Sequence, residues 1–113
     1  MNVLEEEKYY AGDGCPNKGK KNEGTFHPKS YEAGVRCCSC DGKSYQTHLR
    51  CPADNMSFDD ARAECHGKGL RLCTKDELLN GVCCDTGGNC NDYLTWTSRA
   101  QPGMYLHMLI CVH

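Results

Sequence analysis

Eleven cysteines fall within 113 residues, and four of them form the adjacent pairs Cys37/Cys38 and Cys83/Cys84. At about a tenth of the chain, this density points to a disulfide scaffold. A domain this short buries only about two-thirds of its unfolded surface and is often marginal without cross-links. Zinc sites bring paired ligands from turns onto one tetrahedral ion. Neighbouring strand residues instead point to opposite faces, so an adjacent pair suits two different partners better than one ion. Disulfides are therefore expected at Cys15, Cys37, Cys38, Cys40, Cys51, Cys65, Cys73, Cys83, Cys84, Cys90 and Cys111. Pairing ten of eleven allows about ten thousand patterns, so spacing alone does not give the connectivity. The odd cysteine is expected to stay free, cap a small thiol, or link two chains into a homo-oligomer.

Cysteine density of this kind belongs to oxidising compartments, which predicts a secreted, extracellular protein. The start "MNVLEEEKYY" is acidic and lacks the basic and apolar segments of a signal peptide. A mature chain would lack them too, so the cysteines carry more weight. Asn55-Met56-Ser57 is an N-glycosylation sequon. Thirteen basic against fifteen acidic side chains leave a net charge of −2, with none of the concentrated Lys/Arg footprint that nucleic-acid binding requires. No apolar run approaches the roughly 20 residues needed to span a bilayer.

Residues 1–32 are polar and rich in Gly and Lys, which predicts an irregular N-terminal arm pinned by Cys15. The segment 33–39 alternates like a strand and ends at the turn Asp41-Gly42. The following "KSYQTHLRC" is a second short strand or a loop held by Cys51. "SFDDARAECHGKG" (57–69) is the clearest helix, with Ser57 as its cap and Phe58, Ala61 and Cys65 on one apolar stripe. "LRLC" (70–73) alternates like a strand. "TKDELLNG" (74–81) is a short helix with Thr74 and Glu77 as a reciprocal capping pair and Gly81 as its stop. "VCCDTGGNCND" (82–92) has the composition of a loop. "YLTWTS" (93–98) and "MYLHMLICVH" (104–113) are strand-like, separated by the turn "RAQPG".

This ordered set resembles a C-type-lectin-like domain over residues 33–113. "SFDDARAECHGKGLRLCTKDEL" is similar to that family's first helix and the segment after it. "YLTWTS" is similar to its Trp-bearing strand and "LICVH" to its closing strand. The cysteine pattern is closer to a cysteine-enriched extracellular subgroup than to the animal sugar-binding lectins. The resemblance implies an α+β fold with two short helices against small antiparallel sheets. It also implies a disulfide from Cys65 to Cys111, joining the first helix to the last strand.

Calcium-dependent sugar binding in that family needs a long loop carrying a carboxylate/amide-Pro-carboxylate/amide motif, and calcium itself needs six to eight oxygens. Only about a dozen residues separate Trp96 from Cys111 here, and Gln101-Pro102-Gly103 lacks the second carboxylate, so it is better explained as a turn. Asp85, Asn89, Asn91 and Asp92 form a weak metal candidate around a glycine loop, better explained as a loop structure. No cofactor is expected. Tyr45, Tyr93, Gln101 and Tyr105 are candidates for a ligand surface, whereas Trp96 reads as a core aromatic. No zincin, nucleophile-elbow or phosphate-loop pattern occurs, and an enzyme is not expected. The expected function is a secreted recognition module for an extracellular glycan or protein. The alternative is a structural or adhesive protein of matrix or filament, cross-linked through cysteine.

Overall fold

The computed structural model describes residues 7–16, 24–47 and 49–101. In chain order the described elements are β1 (Lys8–Asp13), β2 (Thr25–Pro28), β3 (Cys37–Cys38), β4 (Tyr45–Gln46), α1 (Phe58–His66), β5 (Arg71–Leu72), α2 (Lys75–Leu79) and β6 (Leu94–Ala100). They form two three-stranded sheets, ordered β2-β1-β6 and β4-β3-β5. All pairings within them are antiparallel. The fold is therefore α+β, with two short helices, small antiparallel sheets and several disulfides.

The N-terminal segment departs from the irregular arm expected of it. β1 is the central strand of its sheet, paired with β2 through Tyr10↔Phe26 and with β6 through Ala11↔Trp96. Thr97 Oγ1 donates 2.9 Å to the Tyr10 carbonyl, and Thr95 Oγ1 donates 3.3 Å to that of Gly12. A polar composition hides a strand one of whose partners, β6, lies more than 80 residues away. Arg99 and Ala100, expected in the turn over 99–103, instead continue β6, and Ala100 pairs with Tyr9; residues 102 and 103 lie outside the described residues. The closing strand expected over 104–113, with Tyr105 and Cys111, lies outside the described residues.

Trp96 is 1 % exposed and sits at the centre of the core with Phe58, Val35, Leu72, Ala11 and Cys65. Its ring meets Phe58 edge-on at 5.4 Å, and Tyr9 stacks on the other side of Phe58 at 3.7 Å. The indole N–H donates 2.9 Å to the Met56 carbonyl, so the ring is buried with its polar atom satisfied. Phe58, Ala61 and Cys65 are the buried residues of α1, as their spacing requires.

The two helix starts differ. Ser57 occupies the cap position of α1, but its side chain makes no capping bond. The first helical N–H, that of Phe58, donates to the Lys29 carbonyl at 3.0 Å. In α2 the expected box is complete: Glu77 N–H donates to Thr74 Oγ1 at 3.0 Å and Thr74 N–H donates to Glu77 Oε1 at 2.8 Å. Arg71 adds a fork to the same carboxylate at 2.8 and 3.0 Å. Burial alone would raise the Glu77 pKa. The bonds from Arg71 and Thr74, with the Arg71 charge, outweigh it and hold the carboxyl below the ordinary glutamate value. This stabilisation is fully present above the unfolded glutamate pKa and is lost as pH falls through the lowered folded one. Thr74→Ala is expected to cost about 1 kcal/mol at neutral pH. Glu77→Gln should flatten the acid limb of stability against pH, read by urea unfolding at successive pH values. An unchanged acid limb would show that other carboxylates carry it.

Candidate functional site

The adjacent cysteines of β3 do take two partners on two faces. Cys37 bonds Cys65 of α1 in the main core, and Cys38 bonds Cys73, just past β5, in a second cluster with Cys83. The Cys65–Cys111 pairing implied by the lectin resemblance is therefore overturned. Cys65, on the buried stripe of α1, is bonded instead to Cys37 of β3, with the Cα atoms 5.4 Å apart. Cys15 bonds Cys84 and Cys51 bonds Cys90, while Cys40 is also disulfide-bonded. Among the described residues Cys83 is the free cysteine. It is fully buried, which argues against the interchain link considered for the odd cysteine.

Two loops meet where Cys51 and Cys90 are bridged. Cys51 N–H donates 2.8 Å to the Gly88 carbonyl, and the Thr47 and Thr86 hydroxyls lie 2.7 Å apart. Gly87, Gly88 and Asn89 run consecutively at φ of 109°, 72° and 58°. A Cβ on Gly88 would lie 2.2 Å from the Leu49 carbonyl oxygen, so only glycine allows the loops this close. Between them opens a shallow groove of about 480 Å³, lined by Arg50, Cys51, Ala53, Gly88 and Asn89. Asp54 accepts from the Arg50 backbone N–H at 2.8 Å and faces its guanidinium at 3.9 Å. The exposed Arg50 and Asn89 side chains give the groove a charged donor and an amide.

The four residues considered for calcium separate. Asn91 Nδ2 donates to Asp85 Oδ1 at 2.9 Å, while Asn91 Oδ1 accepts from Asp85 N–H at 3.1 Å and from Arg36 at 3.2 Å. A buried guanidinium thus shares the oxygen a divalent cation would need, and Asn89 lines the groove instead. Asp92 is half-buried in the turn that leads into β6. Arg36, 0 % exposed, also donates to the Gly14 carbonyl at 2.5 Å and to that of Cys83. Nothing in the local pattern marks Arg36, since an arginine beside a short strand ordinarily points to water. Its role follows only from the convergence of residues 14, 83 and 91. The described His, Cys, Asp and Glu side chains placed to share one metal are Cys38, Cys73 and Cys83, two of them already bonded.

The candidate ligand aromatics do not form one patch. Tyr45 packs on the sulfur cluster and donates 2.5 Å to the Gly42 carbonyl, so it braces the smaller sheet. Tyr93 precedes β6 at one end and Gln101 follows it at the other. Asn55 is half-buried, with Oδ1 enclosed and without a partner. No described helix is long and apolar enough to cross a membrane. Comparison with protein-family models, curated proteins and solved structures finds no match.

Proposed function

We propose that this chain is a secreted, disulfide-braced recognition module of the C-type-lectin-like kind, which binds an extracellular glycan or protein without calcium. The observation that carries this is the open groove at the Cys51–Cys90 bridge, where Arg50 and Asn89 present polar groups from two mutually locked loops. A rigid groove loses little ordering entropy on binding, which suits a weak, hydroxyl-rich ligand. The order α1, β5, α2, loop and Trp-bearing β6 supports the family reading. The Arg36 guanidinium beside Asp85 and Asn91 supports calcium independence.

The test is a screen of the oxidised protein against immobilised neutral and acidic polysaccharides in the presence of EDTA. Saturable binding is expected, with Arg50→Ala weakening it by at least about tenfold through loss of a charged hydrogen bond. Binding that EDTA abolishes, or that Arg50→Ala leaves intact, would overturn the assignment to this groove. The cross-linked structural alternative receives no support from Cys83, whose buried sulfur cannot meet a second chain.

A further inference from the structure

Three sulfurs meet in the smaller core cluster. Cys38 and Cys73 are bonded, and the Sγ of reduced Cys83 lies 3.5 Å from the Sγ of Cys73. All three lie within 4.8 Å of one another. Thiol–disulfide exchange proceeds by thiolate attack on a disulfide sulfur, and 3.5 Å is already van der Waals contact between the two atoms.

We infer that Cys83 makes the Cys38–Cys73 bridge exchangeable, giving the domain two alternative pairings about Cys73. The Cys83 thiolate attacks Cys73 Sγ. The Cys73–Cys83 bond forms as the Cys38–Cys73 bond breaks, and Cys38 leaves as the thiolate. One disulfide and one thiol stand on each side, so no oxidant or reductant is consumed. The proton that Cys83 gives to solvent is returned to Cys38.

The surroundings bear on the rate. Burial pushes the Cys83 thiol up, the Arg36 guanidinium draws it back, and the Glu77 carboxylate adds to the upward push. Asp85 acts in turn on Arg36. The thiolate therefore grows with rising pH, and the exchange should accelerate with it. Burial also keeps dissolved thiols away, so the neighbouring bridge is the disulfide in contact with Cys83. The product would staple the two ends of α2 across a separation of 10 residues instead of tying β3 to Cys73 across 35. Cys37–Cys65 would still hold β3 to α1. The exchange thus transfers a tether from the small sheet to the loop that carries the groove.

The experiment uses the full oxidised chain, held without reductant at about pH 6 and about pH 9, on either side of an ordinary thiol pKa. Samples are then quenched in acid, alkylated in denaturant and mapped by tandem mass spectrometry. Alkylation at Cys83 is expected at the lower pH. At the higher pH, alkylation at Cys38 and a Cys73–Cys83 cross-linked peptide should appear. Cys38→Ser, folded in a glutathione redox buffer that supplies the oxidant, is measured alongside, and in it Cys73 and Cys83 should be bonded to each other, which shows that the two sulfurs can pair in the folded domain. The cross-linked peptide in wild type at the higher pH supports the exchange. Wild-type label confined to Cys83 at both pH values overturns it, whatever the variant shows. If the variant does not fold, the wild-type map decides alone.

Discussion

Replacing Cys15 and Cys84 together by serine is expected to lower the unfolding free energy by about 4 kcal/mol. The bridge spans a separation of 69 residues, the longest of the four paired bridges described here. In the chain-entropy model the stabilisation grows with the logarithm of the loop, because a longer closed loop removes more freedom from the unfolded chain. The folded state adds a local reason. Cys15 N–H donates 3.1 Å to the Asn91 carbonyl and Gly14 N–H donates 3.0 Å to that of Tyr93, so the bridge clamps the exit of β1 onto the loop before β6. A domain's whole stability is about 5–15 kcal/mol, so the loss would be a large share of it. Urea unfolding followed by the fluorescence of Trp96, the single tryptophan, reads the change. A loss below about 1 kcal/mol would show that the hydrogen-bonded strand pairing holds this end without the covalent link.

Arg36→Met should come next in size, with a loss of about 1–3 kcal/mol. Two effects oppose. Removing a fully buried guanidinium recovers its desolvation penalty, and its Nε has no partner to lose. Against this, the buried Gly14 carbonyl loses its charged donor, at about 1–3 kcal/mol, while the Cys83 carbonyl keeps its bonds from Thr86 and Asn91 Oδ1 keeps that from Asp85 N–H. The loss wins because methionine offers the Gly14 carbonyl no replacement donor, and the segments of residues 14, 83 and 91 lose the group that joined them. Arg36→Lys keeps the charge but lacks the planar fork, and should fall between wild type and Arg36→Met. Urea unfolding of the three proteins orders them. Equal stability of Arg36→Met and wild type would mean that desolvation cancels the bonds.

What was legible in the chain was local. The stripe Phe58, Ala61, Cys65 and the pair Thr74/Glu77 were readable because helix contacts repeat within a turn. The opposed partners of Cys37 and Cys38 followed from strand geometry alone. β1 was missed because "KYYAGD" includes Gly and Asp and looks like a loop until β6 is laid beside it. Ser57 takes the cap position that its residue type signals, but its side chain makes no cap bond, and the Lys29 carbonyl that accepts from Phe58 is distant in sequence. The family resemblance implies Cys111 as the partner of Cys65, whereas Cys37 of β3, 28 residues earlier, takes that place. The groove was half visible: the glycines of "DTGGNC" signalled a loop, but its approach to residues 49–53 depends on Cys51–Cys90. Arg36 had no signature, since its three partners are far apart in sequence.

The bridges overlap along the chain. Cys15–Cys84 covers every peptide bond from residue 15 to residue 84, and Cys51–Cys90 covers those from there to residue 90. Any single backbone cut between Cys15 and Cys90 therefore leaves both halves covalently attached. A protease that nicks an exposed loop in this span would not release a fragment, and the severed ends would stay held against the same core.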